Sequence, residues 1–291
     1  MTDKIIHPTI ATVGATRHIL QHFKLRASKR LGQNFLIDRS IVRGIVDAAD
    51  IIDGEPVLEI GPGIGTLTQG LLEAGAHVTA VELDKKLPAV LAETLKGYEN
   101  LTVIQGDILK VDINELMHNR PFKVVANLPY YITSQIILTL LEQRLPITRL
   151  VTMVQREVAE RMIANPENLS PKDSAKIYGA LSVAVQYFTE PRIIFDVPPS
   201  AFLPSPEVTS SVIVCDVRTP PTVADEKLFF RVVRGAFGQR RKTVINSLTG
   251  AGFDRDRLNA AFDRAGIEPK LRAENLTLRN FIALTDCLND D

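Results

Sequence analysis

Short apolar runs and helical patterns alternate from Pro56 to Val154, and that alternation leaves few folds open. Pro56-Val57-Leu58-Glu59-Ile60 reads as a buried strand that ends in glycines, and Thr66 to Ala74 follows as a helix. His77 to Val81 is a second strand, ending at Glu82; Lys85 to Lys96 is a helix; Leu101 to Gln105 is a third strand, ending before Asp107. Phe122 to Ala126, the helix Ser134 to Gln143 and the strand Leu150 to Val154 complete the series. Strands separated by helices pair in parallel under two helical layers. Such sheets bind ligands outside the carboxyl ends of their strands. Upstream, Asp38 is placed to cap a helix carrying Ile41, Ile45, Val46 and Ala49. The proline-rich stretch from Tyr187 to Val217, closing on Ser210-Ser211-Val212-Ile213-Val214-Cys215, fits late strands at the sheet edge. After Pro220 and Pro221 the pattern is helical to the end, with a break at Gly250 and Gly252.

At 291 residues the chain is long for one small domain. The expected organisation is an N-terminal extension over 1–30, an α/β domain over 31–217 and a small all-helical domain over 218–291. Charged residues make up 23% and apolar residues 45%, an ordinary globular composition. No apolar run is long enough for a transmembrane helix, and Met1 to Leu20 has no signal-peptide core. Two distant cysteines, Cys215 and Cys287, make a disulfide framework or a cysteine metal site a poor expectation and suit a reducing cytoplasm. No metal is expected, and with no long apolar surface helix in view a monomer is. Formal net charge is zero, but two basic stretches contain no acid: Arg17 to Arg30, and Lys227 to Lys242. Each alone reads as a solvated face. Together they favour an RNA or DNA surface.

The loop Gly61-Pro62-Gly63-Ile64-Gly65 opens the helix after the first strand. A dinucleotide fingerprint needs its third glycine at the sixth position, where Thr66 stands. Glycines at positions one, three and five, preceded by Glu59, have the form seen in class I, Rossmann-like methyltransferases. Glu82, at the next strand end, can accept two hydrogen bonds from a ribose diol; Asp84 competes for that role. Asp107 can accept from an adenine amino group, with Ile108 against the ring.

Asn127-Leu128-Pro129-Tyr130 follows the fourth strand. An adenine amino nitrogen is a poor nucleophile because its lone pair is delocalised into the ring. An amide oxygen and a backbone carbonyl can hold its two hydrogens and favour a more tetrahedral nitrogen. Proline fixes the backbone that presents the carbonyl, and an aromatic ring stacks on an extruded base. Positioning is then most of the catalysis. Pyrimidine C5 methylation would need an activated cysteine, and neither cysteine has a suggestive setting.

These pieces, in this order, resemble the small-subunit (16S) ribosomal RNA adenine dimethyltransferases, the KsgA family, over nearly the whole chain. The resemblance is carried by Leu31-Gly32-Gln33-Asn34-Phe35-Leu36, Glu59-Ile60-Gly61-Pro62-Gly63, Val81-Glu82-Leu83-Asp84, Gly106-Asp107, Asn127-Leu128-Pro129-Tyr130 and Phe202-Leu203-Pro204-Ser205-Pro206 with Val208 and Ser210. It implies S-adenosyl-L-methionine as cofactor, with Asn34, Leu36, Gly61, Glu82, Asp107 and Asn127 lining its site beside Gly63 and Ile108. It implies that Asn127 and the Leu128 carbonyl hold the target amino group while Tyr130 and Phe202 bracket the adenine. It also implies that the segment with Arg240, Arg241 and Lys242 contacts RNA, and that Gln33 to Leu36 folds over the cofactor as a lid. Met1 to Gln21 is longer than the resemblance leads one to expect, and no role is assigned to it.

The implied function is dimethylation of the N6 amino groups of two adjacent adenosines in the 3′-terminal hairpin of 16S rRNA, within the small ribosomal subunit and as part of its biogenesis. Two alternatives stay open: a large-subunit enzyme of macrolide-resistance type, and a mainly non-catalytic assembly checkpoint. A DNA target is disfavoured because no target-reading insertion appears. A nicotinamide oxidoreductase is disfavoured by Thr66 and the lack of a hydride-site histidine near the strand ends.

Overall fold

The computed structural model describes residues 8–239 and 241–289. Nine strands are found among them: β1 (Phe35–Leu36), β2 (Pro56–Ile60), β3 (His77–Glu82), β4 (Leu101–Gln105), β5 (Phe122–Asn127), β6 (Ile147–Gln155), β7 (Thr189–Val197), β8 (Phe202–Leu203) and β9 (Ser210–Val217). Seven of them form one sheet in the order β4-β3-β2-β5-β6-β9-β7. Pairing is parallel from β4 through to β6, and β9 joins β6 antiparallel. The chain leaves β2 first toward β3 and later returns to β5 on its other side. The strand order therefore reverses at β2, and the crevice beyond its carboxyl end is where such a sheet accepts a ligand. Val57, Leu58, Val124, Val125 and Val151 are buried, as helices on both faces require.

Chain contacts divide the protein into two compact units. The first holds residues 1–159 and 192–217; the second holds 160–191 and 218–291. The chain thus crosses between the units more than once, and residues 160–191 group with the helical unit. The physical reason is visible in Tyr187 and Phe188 at the end of the helix Ala180–Phe188. Tyr187 stacks on Phe229 with ring centroids 4.8 Å apart, and Phe188 stacks on Phe230 at 5.5 Å. The second unit is otherwise built from the helices Glu226–Phe237, Val244–Gly250, Arg255–Ala265 and Leu278–Asn289. Gly266 (φ +64°) ends the third of these in the left-handed conformation that glycine adopts most readily.

The helix after Asp38 runs Arg39–Ala49, and the Asp38 carboxylate accepts from the Ser40 and Ile41 amides. The N-terminal segment also folds. Thr12 caps a helix over Val13–His22, and Ile10, Ala11 and Ile19 are buried in the first unit's core. No helix among the described residues is long and apolar enough to cross a membrane.

Candidate functional site

One cavity gathers nearly every site residue named from sequence. Its wall contains Asn34, Leu36, Gly61, Gly63, Glu82, Asp107, Ile108, Asn127, Leu128, Pro129 and Tyr130. These residues arrive on the carboxyl ends of β2, β3, β4 and β5 and on β1, which lies outside the large sheet. β1 is held by antiparallel pairing with β8, Leu36 opposite Phe202. Two side-chain bonds secure the segment leading into β1. Gln33 Oε1 accepts from the Ser28 amide at 2.8 Å, and Gln33 Nε2 donates to Asp84 Oδ2 at 3.1 Å.

That last bond sets the two neighbouring carboxylates apart. Asp84 is engaged by Gln33 and by the Lys86 amide and is not on the cavity wall. Glu82 is on it, 5% exposed, with its oxygens accepting from the Gly63 amide at 3.2 Å and the Asp84 amide at 2.8 Å. A carboxylate has about four acceptor positions, so these amides leave room for a ligand hydroxyl. Burial raises the Glu82 pKa, and those backbone hydrogen bonds oppose the rise. Asp107 Oδ1 caps the following turn by accepting from the Leu109 amide at 3.1 Å. Leu83, 42% exposed, adds apolar wall that sequence reasoning missed.

Gly61, Gly63 and Gly65 all have positive φ (+69°, +62° and +94°). At Gly61 an added Cβ would meet nothing within 4 Å, so the backbone faces open space where a ligand can approach. Two buried polar atoms on the same wall, Glu59 Oε2 and Thr66 Oγ1, have no hydrogen-bond partner. Burial pushes the Glu59 carboxyl up to about 8; the nearby Thr68 hydroxyl opposes the rise, and the Glu82 charge adds a smaller push. Unpaired buried polar atoms are costly, and a cationic, hydrogen-bonding ligand would relieve both. The residues therefore fit S-adenosylmethionine, whose amino-acid end is polar and whose sulfur is cationic.

At the end of β5 the backbone is fixed by a bond from the Leu128 amide to the Met153 carbonyl, 3.2 Å. The Pro129 carbonyl already accepts from the Ile132 amide (3.2 Å) and the Thr133 hydroxyl (2.9 Å). Of the two adjacent carbonyls, Leu128 is thus the one left to serve a substrate. Asn127 Nδ2 donates to the Asn34 carbonyl at 3.4 Å, which directs the amide oxygen away from that contact. Tyr130 is locked through its hydroxyl to Ser210 Oγ at 2.6 Å. Ser210 therefore holds this ring, a role its place in the sequence motif does not reveal. Removing the Tyr130 partner leaves a buried Ser210 hydroxyl unsatisfied, at a cost of about 1–3 kcal/mol. Tyr130→Phe is expected to lower the melting temperature by several degrees and turnover by about tenfold, whereas Tyr130→Ala loses far more turnover. Equal turnover in the two variants would show that the ring has no part in binding substrate.

Phe202 lies apart from these residues. It is 3% exposed, packs in the same apolar cluster as Phe35 and Leu36, and does not line the cavity. Its neighbours in that cluster, Phe35 and Leu36, do stand on the cavity wall. The exposed aromatic at the cavity wall is Tyr131, 55% exposed. Its position directly after Tyr130 was the available signal. Arg241 and Lys242 are both exposed at the turn before the helix Val244–Gly250, in the second unit; Arg240 lies outside the described residues. Cys215 is buried in β9, away from the cavity wall. Among the described residues no three His, Cys, Asp or Glu side chains gather as a metal site.

The chain is similar to known proteins over nearly its whole length. The family model described as ribosomal RNA adenine dimethylase matches residues 24–290. The ribosomal RNA small subunit methyltransferase A of Clostridium botulinum is 46% identical over 94% of this chain and 98% of that one. The protein of the same name from Moorella thermoacetica is 45% identical over 96% of this chain and 99% of that one. Among solved structures, a dimethyladenosine transferase from Plasmodium falciparum superimposes with a TM-score of 0.70 at 26% identity, covering 86% of this chain and 95% of the other. The 23S rRNA methyltransferase ErmE gives 0.66 at 28% identity, covering 88% and 100%.

Proposed function

The chain belongs to the ribosomal RNA adenine dimethylase family, and on that premise we propose that it dimethylates N6 of two adjacent adenosines in the 3′-terminal hairpin of 16S rRNA within the small ribosomal subunit. The observation that carries this reading is the meeting of the glycine loop, Glu82, Asp107 and the Asn127–Tyr130 segment on one cavity wall. The large-subunit alternative has less support: the 23S enzyme is 28% identical, against 46% for the small-subunit relative.

In this proposal Glu82 holds the ribose of S-adenosylmethionine. Asp107 and Ile108 take its adenine, and Asn34, Leu36, Gly61, Gly63 and Asn127 line the remainder. The cofactor, when bound, supplies a methyl group on a cationic sulfur that departs as a neutral thioether. The protein's own contribution is position. Asn127 Oδ1 and the Leu128 carbonyl take the two amino hydrogens and turn the nitrogen lone pair toward the methyl carbon. Tyr130, held by Ser210, fixes the plane of the base. The amino nitrogen itself forms the new bond, so no side chain acts as nucleophile. Residues Arg241 and Lys242, with Arg240, meet RNA phosphates. A cytoplasmic location and a monomeric enzyme go with this reading.

The test is methyl transfer from labelled S-adenosylmethionine to small subunits that lack the modification. Label is expected in N6,N6-dimethyladenosine at the two adjacent positions. Label confined to large subunits, or absent from dimethyladenosine, would sink the proposal. Assembled subunits are the proper substrate, because RNA targets are recognised largely by shape and by exposed single-stranded bases.

A further inference from the structure

The basic side chains between Arg17 and Arg30 play no part in the site above. The structure shows how it is mounted. Residues 8–27 are docked on the first unit by Ile10, Ala11 and Ile19, with Leu20, Phe23 and Leu25 partly buried against the same core. Gln69, itself 4% exposed, clamps the start of the segment: its Oε1 accepts from the Ile10 amide at 2.9 Å and its Nε2 donates to the Pro8 carbonyl at 3.1 Å. Such anchoring fixes which way the remaining side chains face. Arg17, Lys24, Arg26 and Arg30 are all exposed.

No Asp or Glu occurs between Pro8 and Ile37, so the segment supplies no countercharge of its own. Arg26 and Arg30 line a depression with Lys86 that also contains Leu31, Gln33 and Phe35. Those last three residues belong equally to the wall of the cofactor cavity. The depression is therefore the neighbour of the cavity, and Gln33, bonded to Asp84, stands between them. Asp84 is the acid of the depression, and its oxygens are already taken by Gln33 and the Lys86 amide. Three cations around one partly compensated acid leave an excess of positive charge at the rim of a site proposed to receive a single nucleotide.

We propose that residues 8–30 form an RNA-binding arm, and that Arg26, Arg30 and Lys86 receive a backbone phosphate of the rRNA strand adjoining the nucleotide in the cavity. This rests on the rRNA reading above. A base extruded into the cavity must carry its flanking phosphates to the rim, and arginine pairs with phosphate oxygens through two parallel N–H bonds. The contact is to the backbone, so it sets affinity and register and not base identity.

The test compares wild-type protein with the double variant Arg26→Ala/Arg30→Ala, using unmodified small subunits over a range of salt concentrations. The expected result is a KM raised about tenfold at moderate salt and a kcat within about twofold. The slope of log KM against log salt should become shallower by about 0.7 for each phosphate that the variant no longer neutralises. S-adenosylhomocysteine should still raise the melting temperature of the variant as it does for wild type, which shows an intact fold and cofactor site. An unchanged KM and salt slope in such a variant overturns the arm. So does a fall in kcat alone, which would mark a role in the chemistry and not in phosphate binding. If wild-type protein fails to methylate small subunits, the rRNA reading fails by itself. Filter binding of the same two proteins to small-subunit RNA then still reads the arm.

Discussion

Asn127→Ala is expected to reduce methyl transfer by about 100- to 1,000-fold while the protein stays folded. Asn127 is half-buried at the end of β5, where the backbone is fixed independently by the parallel ladder to β6 and by the Leu128–Met153 bond. Truncation removes one long hydrogen bond to Asn34 and little packing, so the stability cost is about 1 kcal/mol. The expected kinetic cost is larger because, in the proposed mechanism, the amide oxygen is one of two acceptors that orient the amino nitrogen. Loss of one preorganised polar contact to a reacting group costs about 2.7–4 kcal/mol in comparable sites. The Leu128 carbonyl survives the substitution, which is why a residual rate is expected. Single-turnover methylation of unmodified subunits measures it. A loss below tenfold would mean that the base is positioned by other groups. The same variant separates catalysis from an assembly role. If it binds subunits and supports their maturation with methylation abolished, the checkpoint activity is a second function of the chain and not a consequence of the first.

The sheet was legible because its signals are local. The strands β2, β3, β5 and β6 carry runs of buried apolar residues, and the edge strand β4 still shows Leu101, Val103 and Ile104. The cavity was legible for a related reason: once strand ends are placed, Gly61, Glu82, Asp107 and Asn127 fall on one edge without any knowledge of the interior. What the sequence did not disclose depends on pairings distant in the chain. Residues 160–191 join the helical unit through the Tyr187–Phe229 and Phe188–Phe230 stacks, and no local pattern announces such a pairing. The burial of Phe202 and the exposure of Tyr131 depend on what β8 and β1 pack against, which no local pattern announces. The Gln33–Asp84 latch and the Tyr130–Ser210 bond span 51 and 80 residues. Each joins a residue of recognised motif to another such residue, so the motifs marked the participants but not the bond.

Glu59 should make both stability and cofactor affinity depend on pH, and in opposite directions. Its carboxyl is 1% exposed, and one oxygen has no partner. Burial, opposed by the Thr68 hydroxyl and assisted by the Glu82 charge, pushes its pKa from 4.5 to about 8. In the unfolded chain the group ionises near the lower value. Between the two values the folded state binds more protons, so the stability of the ligand-free protein falls as pH rises from about 4.5 to about 8 and is then level with respect to this group. The difference corresponds to about 3–5 kcal/mol at the upper end of that window. Glu59→Gln keeps the shape and removes the titration. It is therefore expected to melt higher than wild type at pH 8, with the advantage disappearing toward pH 5. Cofactor binding should run the other way. A cationic ligand beside Glu59 favours the carboxylate, so binding below pH 8 must expel a proton from it. Affinity for S-adenosylmethionine should rise with pH up to about 8, and calorimetry in buffers of different ionisation enthalpy should register close to one proton released per site at pH 7. In Glu59→Gln that release should vanish and affinity should fall at least tenfold at pH 8. Wild-type binding without proton release at pH 7 would show that Glu59 is already ionised in the free protein, and that its unpaired oxygen is satisfied in some other way.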